Sequence, residues 1–433
     1  MLHPPSLQPL IPQEHPLPNG NTLFLFPNPS LGLVKLDITV EAGSALQQYK
    51  SQAHAANQLF GEATAKLTAQ QMAEFIDFHG IVVERMTDVC TGNISFYFLR
   101  RFAPQTLSVI RQMFDAPLVT PQLFEAYINL RRAQIKTNFQ KTAYLARNRH
   151  YELLYGTKHP LGTYATPESI DALSLDAVTD FIHRHYRLSN AHIVVSGTID
   201  PELLDLAEQH LAPLADPSSS KFEIRNSKFD TTTAVTLPEP CPEAYTDAVS
   251  HINVPNAVQS TIRVGRIMPL AWNSTDYTRF MVLNTVLGGY FGSRLMSNLR
   301  EDKGYTYGIY STTQIFRGSI VFYITADVAA SATQDALKEI NREIDLLRQE
   351  PVAQDELDRV RNYMMGDFIR SIDGIFEVSD RYRQMVATCV DERLSTNLLD
   401  ILQTVTPEQL HTLAQSTLTG LVTVTAGPAL DPQ

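Results

Sequence analysis

Cysteine is scarce in this chain. Cys90, Cys241 and Cys389 are the only three among 433 residues, and no two of them form a C-x-x-C pair. Neither a zinc ribbon nor a thioredoxin-like motif is therefore present, and an odd, sparse count reads as reduced thiols in the core of a cytosolic protein. Basic residues are also outnumbered, 35 against 46 acidic ones, and the formal net charge of −11 gives a nucleic-acid partner no support at the level of the whole chain. No uninterrupted apolar run approaches the ~20 residues that would cross a bilayer. The opening Met1-Leu2-His3-Pro4-Pro5-Ser6 lacks the basic-then-apolar order of a signal peptide. The expectation is a cytoplasmic protein with no membrane partner. A G-x-S-x-G turn is missing too, so a serine-hydrolase reading has no anchor.

What is present suits a large globular chain: 44% hydrophobic and 19% charged residues, with a length that implies two to four domains. A proline-rich stretch, 1–20, reads as an extended arm, and Asn19-Gly20-Asn21 as a turn. Strands are predicted over 23–27 and 33–40, one helical region over 51–79 closed at Gly80, and a strand pair over 81–86 and 93–100. A long helical region over 104–155 is broken near Pro117 and Pro121, and a helix over 167–185 leads into an apolar strand at 191–197. Strands followed by helices and a returning strand point to an α+β layer with helices packed on one face of a sheet.

A Ser/Lys/Asp-rich stretch, 216–226, reads as a linker, after which the order repeats. Strands at 251–254 and 260–266, a helix at 276–287, a strand at 319–326, helices at 334–348, 357–372 and 407–415, and a closing strand at 422–426 complete the second half. The clearest internal echo sets 91–98, Thr-Gly-Asn-Ile-Ser-Phe-Tyr-Phe, against 317–324, Arg-Gly-Ser-Ile-Val-Phe-Tyr-Ile. Two similar domains, 1–215 and 227–433, are expected.

The densest motif lies at 287–307: Leu-Gly-Gly-Tyr-Phe-Gly-Ser-Arg-Leu-Met-Ser-Asn-Leu-Arg-Glu-Asp-Lys-Gly-Tyr-Thr-Tyr. Gly288, Gly289 and Gly292 do not make a phosphate loop, because the Gly-Lys-Ser/Thr ending is absent. A short helix over 293–302 stopped at Gly304 fits instead. With the strand Asn256-Ala257-Val258-Gln259-Ser260-Thr261-Ile262-Arg263 before it, this run resembles the C-terminal domain signature of the M16, insulinase-like metallopeptidases, and the resemblance extends over nearly the whole chain. It implies two similar α+β domains, each a mainly antiparallel sheet with helices on one face. It also implies that Arg300 and Tyr307 bind substrate. A guanidinium offers fixed donors to peptide carbonyls, and a phenol can donate to the oxygen that gains charge when a carbonyl becomes tetrahedral.

In active members of that family a helix carries H-x-x-E-H, two zinc-binding histidines with a water-activating glutamate between them. The matching segment here keeps His54 but has Asn57 and Gln58 in place of the glutamate and second histidine. An amide cannot take a proton from zinc-bound water. The third ligand, a downstream glutamate, falls near Gln134, and no Asp or Glu lies between Glu125 and Glu152. His183-Arg184-His185, His150, His159 and the basic run Lys136, Lys141, Arg147 and Arg149 carry weaker signals, read as structural or solvated positions.

The resemblance therefore implies a chain that binds no cofactor and cleaves nothing alone. It would supply Arg300 and Tyr307 to a peptide held at the zinc of an H-x-x-E-H partner, the two chains forming a heterodimer around a chamber. The competing readings are a structural scaffold subunit without a proteolytic role and a stand-alone peptide-binding homodimer.

Overall fold

A computed structural model describes residues 11–18, 20–212, 234–240 and 247–430. The expected linker at 216–226, Cys241 and Asn19 of the expected turn lie outside them. The first sheet contains β1 Gln13–Pro16, β2 Thr22–Pro27, β3 Leu33–Val40, β4 Val82–Thr87, β5 Gly92–Leu99 and β6 His192–Gly197, in the spatial order β1-β2-β6-β3-β5-β4. The second contains β7 Val249–Asn253, β8 Gln259–Ile267, β9 Thr306–Phe316, β10 Ser319–Ala329 and β11 Val422–Gly427, in the order β7-β11-β8-β10-β9. Apart from β1 the two orders are the same, and each sheet has a single parallel pair, β2 with β6 and β7 with β11. The internal echo falls on β5 and β10, which occupy matching places beside β3 and β8. Part of the supposed proline-rich arm is β1, paired to the edge of β2.

The helices of the first half are α1 Gln52–Leu59, α2 Ala69–His79, α3 Ala103–Asp115, α4 Pro121–Asn138, α5 Thr142–Tyr155, α6 Pro167–Asp171, α7 Leu175–His185 and α8 Pro201–Leu211. Those of the second are α9 Thr275–Asn284, α10 Thr333–Gln349, α11 Gln354–Arg370, α12 Ile375–Thr388, α13 Arg393–Thr404 and α14 Pro407–Thr417. The single helical region expected over 51–79 is two helices. Gly61 takes a left-handed φ of +76° that ends the first, and Thr68 opens the second with a capping box to Gln71. The apolar periodicity ran through this break and hid it. Helices α8, α12 and α13 were not anticipated.

Each sheet is covered on both faces, and the second cover comes from the other half. In β10, Ile320, Phe322 and Ile324 face the core of their own half, while Val321 faces a separate cluster with Val422, Val424 and residues of α5: Ala146, Tyr151, Leu154 and Tyr155. The period-two alternation of a strand requires this split. Reciprocally, α12 lies on the first sheet, with Tyr382 packed against Phe24, Phe26 and His192. Its Asp380 meets the Nζ of Lys35, a fully buried lysine of β3, at 2.6 Å, and Asp37 lies 3.4 Å from the same Nζ. A second tie joins Arg317 to Glu41 through two hydrogen bonds of 2.6 and 2.8 Å.

Two measurements test this exchange. Asp380→Ala leaves a buried ammonium with Asp37 alone, and it is expected to cost about 1–3 kcal/mol of unfolding free energy in urea, less than a fully buried pair because Asp380 is partly exposed. An unchanged midpoint would show that the contact contributes nothing. The second concerns His150 of α5, which accepts from Nε of Arg263 at 3.3 Å. Burial first, then that charge, lowers its pKa to about 3. The unfolded chain takes up this proton near pH 6.5 and the fold does not, so the contribution is whole above about pH 6.5 and is lost as pH falls toward the folded value. Unfolding free energy should decline between pH 6.5 and 4, and more gently in His150→Gln. Equal slopes in the two proteins would refute the assignment.

Candidate functional site

Helix α1 starts after Ser51, itself in the left-handed region at φ +66°, and is fixed to α7 by Gln52, whose amide donates to the carbonyl of Ala177 at 2.8 Å. The helix is otherwise alanine-rich and buried, so its packing is close and its few polar side chains stand out. Asn57 is fully buried and donates to the carbonyl of Asn93 at 3.2 Å. Its oxygen lacks a partner among the described residues, and the Tyr186 hydroxyl lies nearby, pushed up in pKa by burial with Asn57 acting against the rise. His54 and Gln58 share the next face of α1 and are half-buried.

The residue of α4 that meets His54 is Tyr127, its hydroxyl 2.8 Å from Nδ1. Arg131, one turn further along α4, acts on both: burial first and then the Arg131 charge lower His54 to about 4, and the same charge offsets the rise that burial gives the Tyr127 phenol. Gln134, the position expected for the third ligand, is exposed; its amide oxygen accepts a long 3.5 Å contact from Arg131. Tyr127 and Arg131 carried no sequence signal, although a residue seven before the expected ligand position lies on the same helix face.

These groups do not fit zinc. Asn57 is a buried amide turned to a backbone carbonyl, Gln58 is an amide and not a second imidazole, Gln134 is an exposed amide, and the nearby charge acting on His54 is that of Arg131, of the same sign as a metal ion. No grouping of three or more His, Cys, Asp or Glu suited to a metal occurs among the described residues.

The second element is the motif of 287–307. Its glycines are there for packing: a Cβ on Gly288 would come within 2.7 Å of the backbone nitrogen of Ser311. The expected helix over 293–302 is partly a wide π-type coil, Met296–Asp302, closed by Gly304 at φ +66°. Such coils are uncommon and recur at functional sites. Arg294 is a structural residue that forks onto Glu356 at 2.9 and 2.7 Å, and Asn298 donates to Glu339 and Glu343 at 2.9 and 2.7 Å. Arg300 lies over the ring of Phe291 at 4.6 Å, a ring that is itself 60% exposed.

Tyr307 sits on a β-bulge. The β9–β10 register passes from Ile309 opposite Ala326 to Thr306 opposite Val328, so Tyr307 and Gly308 together face Asp327. The Thr306 hydroxyl holds the bulge by donating to the carbonyl of Asp327 at 2.6 Å and accepting from the N–H of Gly308 at 3.1 Å. Bulges re-aim side chains, and Tyr307 is 92% exposed. Tyr305, two residues earlier, packs against the core. No hydrogen bond or ion pair joins Arg300 to Tyr307 among the described residues.

The weaker candidates are structural. Arg184 pairs with Asp180 and His185 packs on Phe181 at 4.4 Å. His159 contacts the carbonyl of Pro238 at 2.9 Å and stacks on Tyr155. Arg149 pairs with Glu152 at 3.1 Å, whereas Lys136, Lys141 and Arg147 are exposed. No helix among the described residues is long and apolar enough to cross a membrane.

Fold and site together define a peptidase-like scaffold whose α1–α4 site presents amides and a guanidinium beside its one histidine. Residues 172–364, which include the 293–307 motif, match the family described as Peptidase M16 inactive domain. The Bacillus subtilis protein named uncharacterized zinc protease YmxG is 22% identical over 93% of this chain and 94% of its own length. A Helicobacter pylori protein named non-peptidase homolog YmxG is 21% identical over 71% of this chain and 68% of its own. Among solved structures, a peptidase M16 inactive domain from Pseudomonas fluorescens has the same fold, with a TM-score of 0.81 and 21% identity over 98% of this chain and 99% of that one. The chain is thus similar to the M16 metallopeptidases, in sequence over its middle part and in fold over nearly its whole length, and it lacks an H-x-x-E-H motif at 54–58.

The metal reading has a direct test. The double variant Asn57→Glu, Gln58→His still lacks the downstream carboxylate and keeps Arg131 beside the site. It should retain only substoichiometric zinc after dialysis, measured by elemental analysis, and should melt lower than the parent because a carboxylate replaces a fully buried amide. One zinc per chain in either protein would overturn the assignment.

Proposed function

We propose that this chain is the non-catalytic, substrate-holding member of a two-chain M16-type zinc peptidase. It supplies Arg300 and Tyr307 to a peptide bound at the zinc of an H-x-x-E-H partner. The reading rests above all on Tyr307: a bare phenol on a bulged strand serves no folding purpose visible in the structure, since burial and hydrogen bonding are what hold tyrosines in cores. Arg300 adds a guanidinium whose contact within the chain is the face of an exposed ring, leaving its planar donors available to peptide carbonyls. The division into domains 1–215 and 227–433, the heterodimer and a cytoplasmic site of action belong to the same proposal.

The test is peptide hydrolysis by the chain mixed with an H-x-x-E-H M16 subunit. Tyr307→Phe should lower turnover by about 10²–10³, the usual effect of removing one oxyanion donor. Arg300→Ala should mainly raise KM, and Tyr305→Phe, at a packed position, should change little. Melting temperatures and size-exclusion profiles should stay unaltered. Full activity in both Tyr307→Phe and Arg300→Ala would make the chain a scaffold. Failure to associate with any H-x-x-E-H chain, with peptide binding retained, would favour the homodimer.

A further inference from the structure

The polar side chains between α1 and α4 offer donors and positive charge where a metal ion would need lone pairs. Tyr127 has one hydroxyl proton and a single partner among the described residues, Nδ1 of His54 at 2.8 Å. If the imidazole donated instead, the phenol proton would be left without an acceptor in a largely buried position. Tyr127 is therefore the donor, and the neutral imidazole carries its proton on Nε2, which has no partner among the described residues. The Gln58 amide, one turn along the same face, is likewise unpartnered there. Among the described residues Arg131 has no carboxylate partner: its Nε is buried without a hydrogen bond, and its one hydrogen bond there is the 3.5 Å approach of its Nη1 to Gln134. Between Glu125 and Glu152 the chain offers no carboxylate of its own.

A metal ion needs lone pairs, and this place presents N–H groups and a fixed positive charge. We propose that the former zinc site is a carboxylate-binding site, with Arg131 as the charged partner and Nε2–H of His54 and the amide of Gln58 as neutral donors. Guanidinium and carboxylate match in geometry as well as charge, and a partly buried setting weakens competition from water and salt. The carboxylate can come from a peptide's chain end or from an acidic side chain within it. The proposal draws on the functional reading above only in taking peptides as its probes.

The experiment uses the full-length chain and three fluorescein-labelled peptides of one alanine-, leucine- and lysine-containing sequence. One ends in a free carboxylate, one in an amide, and one is the amide with a single internal glutamate. Binding is followed by fluorescence anisotropy. The free-acid peptide is expected to bind at least tenfold tighter than the amide, with Arg131→Gln and Gln58→Leu reducing that advantage and Arg131→Lys preserving part of it. An Arg131-dependent gain confined to the glutamate peptide also supports the site and assigns the carboxylate to a side chain. Melting temperatures should remain near the parent's, since Arg131 makes no ion pair among the described residues. Equal binding of all three peptides, or no binding of any, overturns the proposal. The clamp is tested separately: equal binding that is lost in Arg300→Ala removes this site and leaves the clamp, while an Arg131-dependent preference indifferent to Arg300→Ala does the reverse.

Discussion

The fold depends on a reciprocal exchange of helices. Each sheet has two faces to cover, and the helices of its own half cover only one. Helix α5 of the first half closes the second face of the second sheet, and α12 of the second half closes that of the first. Burying the Tyr151, Leu154 and Tyr155 side chains of α5 contributes on the order of 1.5–3 kcal/mol each. The polar ties set the orientation. Lys35 is wholly buried and its charge is met by Asp380 from the other half. An unpaired ammonium there would be costly, so the two halves hold one relationship.

A buried polar chain runs from that contact toward the remnant of the metal helix. Asp37, beside Lys35, accepts from Ser95; Ser95 accepts from Asn93 at 2.9 Å; and the carbonyl of Asn93 receives the amide of Asn57. Burial raises the Asp37 pKa, with Lys35 acting against the rise. Asn57 is thus a member of the hydrogen-bonded core. Its amide suits that duty, because it can donate to a carbonyl where a carboxylate would repel it. The same amide that cannot act as a base supplies a donor to the interior.

The 293–307 motif divides in a similar way. Arg294 and Asn298 turn inward to carboxylates of α11 and α10, while Arg300 and Tyr307 turn outward. The inward pair fixes the coil and the outward pair is presented by it. Within one short run, the two arginines serve folding and surface roles according to the side of the coil on which they fall.

The sequence by itself determined the α+β class, the repeated strand order, most strands and the absence of an H-x-x-E-H pattern at 54–58, because these rest on local periodicity and on residue identity at fixed spacing. Alternation marked β3, β5 and β10 within a residue or two at most ends. Only the tertiary structure decided which residue of α4 meets His54, that Arg131 stands beside it, and that Tyr307 lies on a bulge opposite Asp327. It also decided that α12, which carried no anticipated element, covers the opposite half. The physical reason is the same in each case. Helix register, strand pairing and the choice of cover for a sheet are set by contacts between residues far apart in the chain, and local sequence carries no record of its distant partner.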